Sequence, residues 1–162
     1  MKNKGFSLVE LIIVIAIMAI LAAAIAPALI RYIDKSRRSD DVAAGETINT
    51  AAQAALSNEE AYDEIQGCMP TTANTSVVLT TTTADNAFPN VTTTGVSGNG
   101  ATFVEESNSS CGGKSPKLKF KKKGANGWSV GVNDAGKPVV WIASGSSNTA
   151  WMVQPEICPS YK

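Results

Sequence analysis

The strongest constraint on this fold is an apolar run close to the N-terminus. No charged side chain occurs from Leu11 to Ile30. Such a run of about 20 residues, at ~1.5 Å per helical residue, matches the roughly 30 Å hydrocarbon core of a bilayer. The apolar core of a cleaved secretory signal is shorter. The run therefore predicts a membrane-spanning helix rather than an ordinary signal peptide.

Two residues do not fit a plain membrane anchor. Glu10 lies four residues inside the apolar segment that begins at Phe6. A carboxylate costs roughly 2.5–3.5 kcal/mol near the bilayer centre and less near its edge, so a charged residue there needs a partner. Pro27 lies late in the same run. It removes one backbone hydrogen bond, which predicts that the helix kinks or loosens there.

Composition argues against several other classes of protein. The 14 basic and 14 acidic residues give a formal net charge of zero, which does not favour a nucleic-acid-binding surface. The chain has no histidine, the commonest general base and transition-metal ligand. It also lacks a nucleophile triad, a phosphate loop and a metal-ligand cluster. We therefore expect no enzyme activity, no cofactor, no metal and no specific nucleic-acid partner.

The leader and the first turn resemble a known signal. Residues 5–10, Gly-Phe-Ser-Leu-Val-Glu, follow a short basic leader and precede the apolar helix. In this they resemble the class III signal of type IV prepilins and pseudopilins, over residues 1 to about 35. The resemblance implies cleavage by a prepilin peptidase after Gly5 and N-methylation of the new first residue, Phe6. It also implies that Glu10 pairs with the Phe6 amino group of a neighbouring subunit, and Pro27 matches the family's helix-loosening proline.

The resemblance implies three regions, two locations and several partners. Residues 1–5 would be a leader peptide, residues 6–30 a transmembrane helix that later lies in a filament core, and residues 31–162 a periplasmic or extracellular globular domain. The precursor would be a single-pass protein of the cytoplasmic (inner) membrane, and the assembled form a cell-surface or periplasm-spanning filament. The implied partners are membrane lipid before assembly, a prepilin peptidase/N-methyltransferase, a pilus assembly platform and further copies of the chain.

Helical character is predicted to continue beyond the apolar run. Apolar residues on one stripe extend a single helix to Leu56. The pair Ser57 and Glu60 matches a capping box, so a second short helix is predicted to run to Ile65, ended by Gly67 and Pro70. Residues 71–110, rich in Thr, Ser, Asn and Gly, are predicted to be loop with one short strand at residues 77–79.

The C-terminal third is predicted to be an antiparallel sheet covered by the amphipathic half of the long helix, which makes the fold class α+β and pilin-like. Strands are expected at residues 117–121, 128–132, 139–142 and 150–153, with a tight turn at residues 134–136. The basic patch Lys117, Lys119, Lys121, Lys122 and Lys123 could attract DNA or an acidic surface. The favoured interpretation is a solvated strand face that discourages edge-to-edge pairing. Trp128, Trp141 and Trp151 are expected in the core.

Three cysteines lie 43 and 47 residues apart, which is no CxxC metal or redox spacing. Outside the membrane one pair could form a disulfide, and the sequence leaves the pairing open. Cys111 and Cys158 are the candidate pair.

Three functions are compatible with these sequence features. The first is a structural subunit of a type IV pilus, acting by polymerisation in adhesion, motility or DNA uptake. The alternative is a pseudopilin of a type II secretion or competence system. A tethered enzyme or receptor is the poorest of the three, because no catalytic motif supports it.

Overall fold

The computed structural model describes residues 7–91, 93–121, 124–145 and 147–161. The chain divides into two compact units, residues 1–36 and residues 37–162. The described residues include three α-helices: α1 Leu8–Leu56, α2 Glu59–Gln66 and α3 Ala101–Ser110. The strands are β1 Ser76–Thr83, β2 Ala125–Asn133, β3 Pro138–Ser144 and β4 Ser147–Gln154. Short 3-10 helices lie at Ser97–Gly100 and Pro159–Tyr161.

The four strands form one antiparallel sheet in the order β1-β2-β3-β4. Three of the predicted strands are confirmed with slightly wider bounds, as is the turn between β2 and β3. The alternation of Trp128, Val130 and Val132 with small or polar residues marks the face of β2 that is buried in the core. The α+β class, with a long N-terminal helix and a C-terminal antiparallel sheet, is confirmed.

The core is formed by the second half of α1, the sheet and the two shorter helices. Ile48, Ala52 and Ala55 of α1 belong to the same buried cluster as Phe103 of α3 and Trp128 of β2. Small side chains on α1 let the helix backbone come close to the sheet. Trp128 and Trp141 are buried as predicted, whereas Trp151 is half-buried.

Gly45 shows how close that approach is. A Cβ atom added at Gly45 would lie 2.8 Å from Cγ2 of Val153 on β4 and 3.6 Å from the ring of Trp128 on β2. Real Cβ atoms essentially never make the shorter of these contacts. A glycine in the middle of a helix is unfavourable by itself, so its presence here reflects the packing of α1 on the sheet.

The predicted capping box at Ser57 is wrong by one residue. Asn58 is the N-cap of α2, and its side-chain oxygen accepts a hydrogen bond from the Glu60 amide at 3.0 Å. The Ser57 hydroxyl instead donates back to the Gln53 carbonyl at 2.9 Å. Both residue types cap helices well, and the actual end of α1 decides which of the two does so. Gly67 is the C-cap of α2, as predicted.

The predicted loop over residues 71–110 is largely wrong. The threonine-rich run extends β1 to Thr83, since the hydroxyls of Thr80 and Thr82 donate to the carbonyls of Pro89 and Ala87 at 2.7 and 2.9 Å. Helix α3 was not predicted at all. Threonine is β-branched and favours strands when its hydroxyl is satisfied, and that outweighs the polar composition.

The strand predicted at residues 117–121 does not form. This segment runs without ladder pairing, although Leu118 and Phe120 are buried as the alternating pattern requires. Its backbone amides bond to a side chain of α1 instead of to a neighbouring strand. The interpretation of the lysines as a strand face is therefore corrected: Lys117, Lys119 and Lys121 lie on an irregular segment, whereas Lys122 and Lys123 lie outside the described residues.

Candidate functional site

Glu10 lies in the first turn of α1 and is exposed. Its Oε2 atom accepts a hydrogen bond from the Ser7 amide at 3.1 Å. Ser7 immediately precedes the helix, so the pair forms the carboxylate half of a capping box, in which the third helical residue bonds back to the N-cap amide. A carboxylate also suits the positive end of a helix dipole. Glu10 is thus positioned locally, and its oxygens retain further acceptor capacity.

Gly5 and Phe6, the predicted cleavage and methylation residues, lie outside the described residues. Pro27 lies inside α1, which continues on both sides of it from Leu8 to Leu56. The ring nitrogen cannot donate to the carbonyl of Ala23, so one hydrogen bond of the helix is missing there. The predicted kink at Pro27 stays a prediction.

The first half of α1 exposes most of its apolar side chains. Leu8, Ile20 and Tyr32 are 73%, 70% and 72% exposed, and the other large apolar side chains between Leu8 and Ile30 are 48–62% exposed. An 18-residue window of this helix has a mean hydropathy of 3.0 and is not buried at all within the structure. By length and composition, α1 is the one helix in the described residues that could cross a membrane. So continuous an apolar surface needs lipid or other protein around it.

In the unit formed by residues 37–162, a buried carboxylate connects α1 to two distant segments. Asp41 is 0% exposed. It accepts hydrogen bonds from the amides of Lys119 and Phe120 at 2.7 and 2.9 Å and from the Tyr161 hydroxyl at 2.8 Å. Burying a carboxylate is costly unless its oxygens are satisfied, and these three donors satisfy them.

Aromatic and cationic groups surround this carboxylate. The rings of Phe120 and Tyr161 meet edge to face with centroids 6.0 Å apart, and the Arg38 guanidinium lies 4.5 Å from the Phe120 ring centroid. Burial and the hydrogen bond to Asp41 both raise the pKa of the Tyr161 phenol. Tyr161 therefore stays protonated at neutral pH and acts as the donor.

A second carboxylate holds the start of α3. Glu64 on α2 accepts hydrogen bonds from the Thr102 amide at 3.0 Å, the Thr102 hydroxyl at 3.0 Å and the Phe103 amide at 3.2 Å. These amides belong to the first turn of α3, where no intrahelical partner is available. Sequence reasoning missed both Asp41 and Glu64, because each acts on residues far away in the chain.

Two clefts on this unit carry opposite charge. One is lined by Arg37, Lys117, Leu118, Lys119 and Lys121. The other is lined by Asn58, Glu59, Glu60, Asp63, Glu64, Ser97 and Gly98. We call them the basic cleft and the acidic cleft. They share no lining residue.

The three cysteines, Cys68, Cys111 and Cys158, are each partly buried against the core. The candidate disulfide between Cys111 and Cys158 stays a prediction. Burial raises the pKa of the Cys68 and Cys111 thiols, which keeps them protonated and poorly nucleophilic. Among the described residues, no group of three or more Cys, Asp or Glu side chains could hold a metal ion.

Comparison with known proteins matches both the N-terminus and part of the globular unit. Residues 1–26 match the family model described as the prokaryotic N-terminal methylation motif. The chain is similar to the type IV major alpha-pilin of Moraxella bovis, with 40% identity over 106 residues, covering 61% of this chain and 64% of that protein. It is also similar to the type IV major pilin protein PilA of Myxococcus xanthus (strain DK1622), with 35% identity over 63 residues, covering 39% of this chain and 29% of that protein.

The chain thus spans just under two thirds of the length of the first of these relatives and less than a third of the second. No solved structure matches it. Residues 8–26 of the methylation motif lie on the exposed apolar helix, and the similarity to the Moraxella protein extends well beyond the motif. Together these findings show that the chain is similar to type IV pilins, both in its N-terminal methylation motif and over part of the remaining sequence.

Proposed function

We propose that this chain is the precursor of a structural subunit that polymerises into a type IV pilus. The observation that carries the proposal is the first half of α1: an apolar helix surface, exposed throughout, that begins with Glu10 and the methylation motif. Such a surface is kept from water by lipid before assembly and by copies of the same helix afterwards. Both of these relatives are named as major pilins, which favours a pilus over a pseudopilus.

In this proposal a prepilin peptidase cuts after Gly5, and its N-methyltransferase activity modifies Phe6. Residues 6–30 cross the inner membrane in the precursor, and residues 31–162 lie outside it. An assembly platform then moves the helix from the bilayer into the filament core. The filament contains many copies of this one chain.

Glu10 would set the register of that assembly. Removal of the leader creates an amino group on Phe6, and an amine and a carboxylate that leave water together can neutralise each other. The local bond from the Ser7 amide uses one oxygen of Glu10 and holds the side chain at the helix start. The remaining lone pairs are available to the amine of a neighbouring copy.

The first experiment is the intact mass and N-terminal sequence of the protein in filaments sheared from its native cells. We expect a chain that starts at methylated Phe6. A chain that starts at Met1, or after the apolar run, would contradict the proposed processing.

The second experiment is Glu10→Ala, with filament yield measured in the sheared fraction against total chain in the cell. We expect the variant to be processed normally but to give about tenfold fewer filaments or none, because an unpaired amine is left in the apolar core. The matched control is Glu46→Ala, an exposed glutamate on the same helix. If Glu10→Ala assembles as well as this control, Glu10 does not pair in the filament.

A further inference from the structure

Charge is strongly separated along this chain, although the total is zero. No Lys or Arg occurs from residue 39 to residue 113, and residues 114–123 contain six lysines and no acidic residue. The acidic residues of the first stretch are Asp40, Asp41, Glu46, Glu59, Glu60, Asp63, Glu64, Asp85, Glu105 and Glu106. A protein with no net charge does not require this separation. The fold gathers the positive and the negative side chains on two different surfaces.

On the basic side, the fold adds a cation from another element to those of the lysine-rich segment. Arg37 comes from α1, and Lys117, Lys119 and Lys121 come from the segment before β2; together they line the basic cleft. Lys119 is paired with Asp40, with Nζ and Oδ2 3.0 Å apart. The two backbone hydrogen bonds to Asp41 hold this segment in place, so its lysines project from a fixed backbone.

On the acidic side, α2 presents its carboxylates together. Glu59, Glu60 and Asp63 are exposed and line the acidic cleft, while Glu64 bonds to the start of α3. Glu105 and Glu106 on α3 are exposed as well. The described residues of this side, 39–91 and 93–113, contain no lysine or arginine to offset the negative charge.

We propose that the basic cleft of one subunit docks onto the acidic cleft of a second copy of this chain. Because the two clefts are different surfaces of the same chain, the contact is heterologous, and each docked pair leaves one basic and one acidic cleft free for further copies. Heterologous contacts that do not close into a ring generate open helical assemblies. The inference rests on the proposed filament function and adds to it a contact between globular units.

A second copy fits the basic cleft better than a nucleic acid does. The cleft offers Arg37, Lys117 and Lys121 beyond the cation already paired with Asp40, which is a small footprint for phosphate neutralisation. The acidic side of the same unit would repel a polyanion. Loss of Lys2 and Lys4 with the leader leaves 12 basic residues against 14 acidic ones, so the formal net charge of about −2 causes little long-range repulsion between copies.

Charge reversal and restoration in cells test this docking. We expect Lys117→Glu with Lys121→Glu to lower the yield of sheared filaments about tenfold, and Glu60→Lys with Asp63→Lys to do the same. Combining all four changes in one chain should restore most of the yield, because the complementary pairs are remade with opposite sign. Restoration also shows that all four substitutions together are compatible with folding.

The matched control is Lys114→Glu with Lys137→Glu. It makes the same change in net charge at two exposed lysines that do not line the basic cleft. We expect near-normal filament yield from it.

Zero-length cross-linking of unmodified filaments is a second readout. A carbodiimide joins a lysine amine to a carboxylate as an amide, with loss of water, only where the two are in contact. Filaments that contain a mixture of isotopically light and heavy chains distinguish links between copies from links within one. We expect links between copies from Lys117 or Lys121 to Glu59, Glu60 or Asp63.

The proposal is overturned if the lysine reversals leave filament yield unchanged. It is also overturned if the four-fold variant stays defective and no such cross-link forms, in which case the basic cleft binds another anion, such as a lipid headgroup. The proposed filament function fails separately: it fails if the unmodified chain is absent from sheared filaments and the chain in cells does not start at Phe6. Dependence on Glu10 without dependence on the clefts removes only the present inference.

Discussion

At the scale of single residues, Asp41 contributes an unusual kind of contact to this fold. A short charged side chain on a helix ordinarily faces solvent, yet Asp41 is buried and binds two backbone amides and a phenol. These donors come from residues 78–120 positions away along the chain. Asp41 therefore joins α1, the segment before β2 and the C-terminal 3-10 helix at one point.

We predict that Asp41→Asn lowers the free energy of unfolding by roughly 2–4 kcal/mol. An asparagine side chain has nearly the same shape, but one of its two ends is a donor, so it leaves a buried amide or the phenol unsatisfied. The measurement is urea unfolding of the wild-type and variant chains in detergent, followed by tryptophan fluorescence.

Two further variants separate the hydrogen-bond network from a general effect of losing charge. Tyr161→Phe should cost about 1 kcal/mol in the wild-type chain and much less in the Asp41→Asn background, because the two residues share one hydrogen bond. Asp40→Asn, next to it on the exposed surface, should change stability by less than about 0.5 kcal/mol. Equal effects of Asp40→Asn and Asp41→Asn would contradict the role given to Asp41.

Whether the sequence alone could predict the role of a residue depends on how far along the chain its partners lie. Glu10 could be singled out because its neighbours in sequence are apolar, and the structure places it in a local capping arrangement with Ser7. Asp41 could not be told from Asp40, since both lie on a helical surface with the same local sequence. Only the distant chain segments that reach Asp41, and not Asp40, through backbone amides distinguish the two.

At the scale of elements, α3 depends on a carboxylate from a different helix. Its sequence, ATFVEESNSS, has little helical preference, and its N-cap is Gly100, which has no side chain to bond the first amides. Glu64 of α2 takes that role. This is why residues 101–110 resemble loop in sequence and form a helix with buried Phe103 and Val104 in the structure.

We predict that Glu64→Ala destabilises α3 by about 1–2 kcal/mol, since it leaves the amides of the first turn without an acceptor. Native-state hydrogen exchange should show faster exchange over residues 101–110 while β2 and β3 stay protected. Glu60→Ala is the control, because its exposed side chain makes no contact with α3 among the contacts described. Unchanged protection of α3 in Glu64→Ala would show that packing of Phe103 alone maintains the helix.

Among the other elements, strands were predicted where alternation and a turn occur together, as in β2 and β3. The segment from Lys117 to Lys121 has the same alternation without becoming a strand, because Asp41 occupies the amides that a ladder would need. Alternation reports which side chains are buried, and it does so correctly here for Leu118 and Phe120. It does not report what the backbone binds.

At the scale of the whole molecule, burial is confined to one of the two units. The core residues identified as buried lie between Asp41 and Tyr161, and none lies in the apolar half of α1. The boundary between the two compact units, after residue 36, falls between the last exposed large apolar residue, Ile33, and the first buried residue, Asp41. A surface that stays apolar over about 20 residues cannot be covered by a small domain, so the apolar run in the sequence predicts an anchor that is separate from the globular core.

We predict that a fragment of residues 37–162 folds without the anchor. It retains the buried residues Asp41, Gly45 and Ile48 of α1 together with the whole sheet. Its thermal unfolding should therefore be a single cooperative transition, and its fluorescence should be that of buried tryptophans.

A fragment of residues 50–162 is the matched control. It lacks these three residues, which uncovers Trp128 and leaves the amides of Lys119 and Phe120 without their acceptor. We expect it to unfold at a much lower temperature or to be unfolded throughout. If both fragments melt alike, the second half of α1 is not part of the core that stabilises this unit; if neither folds, the unit requires the anchor.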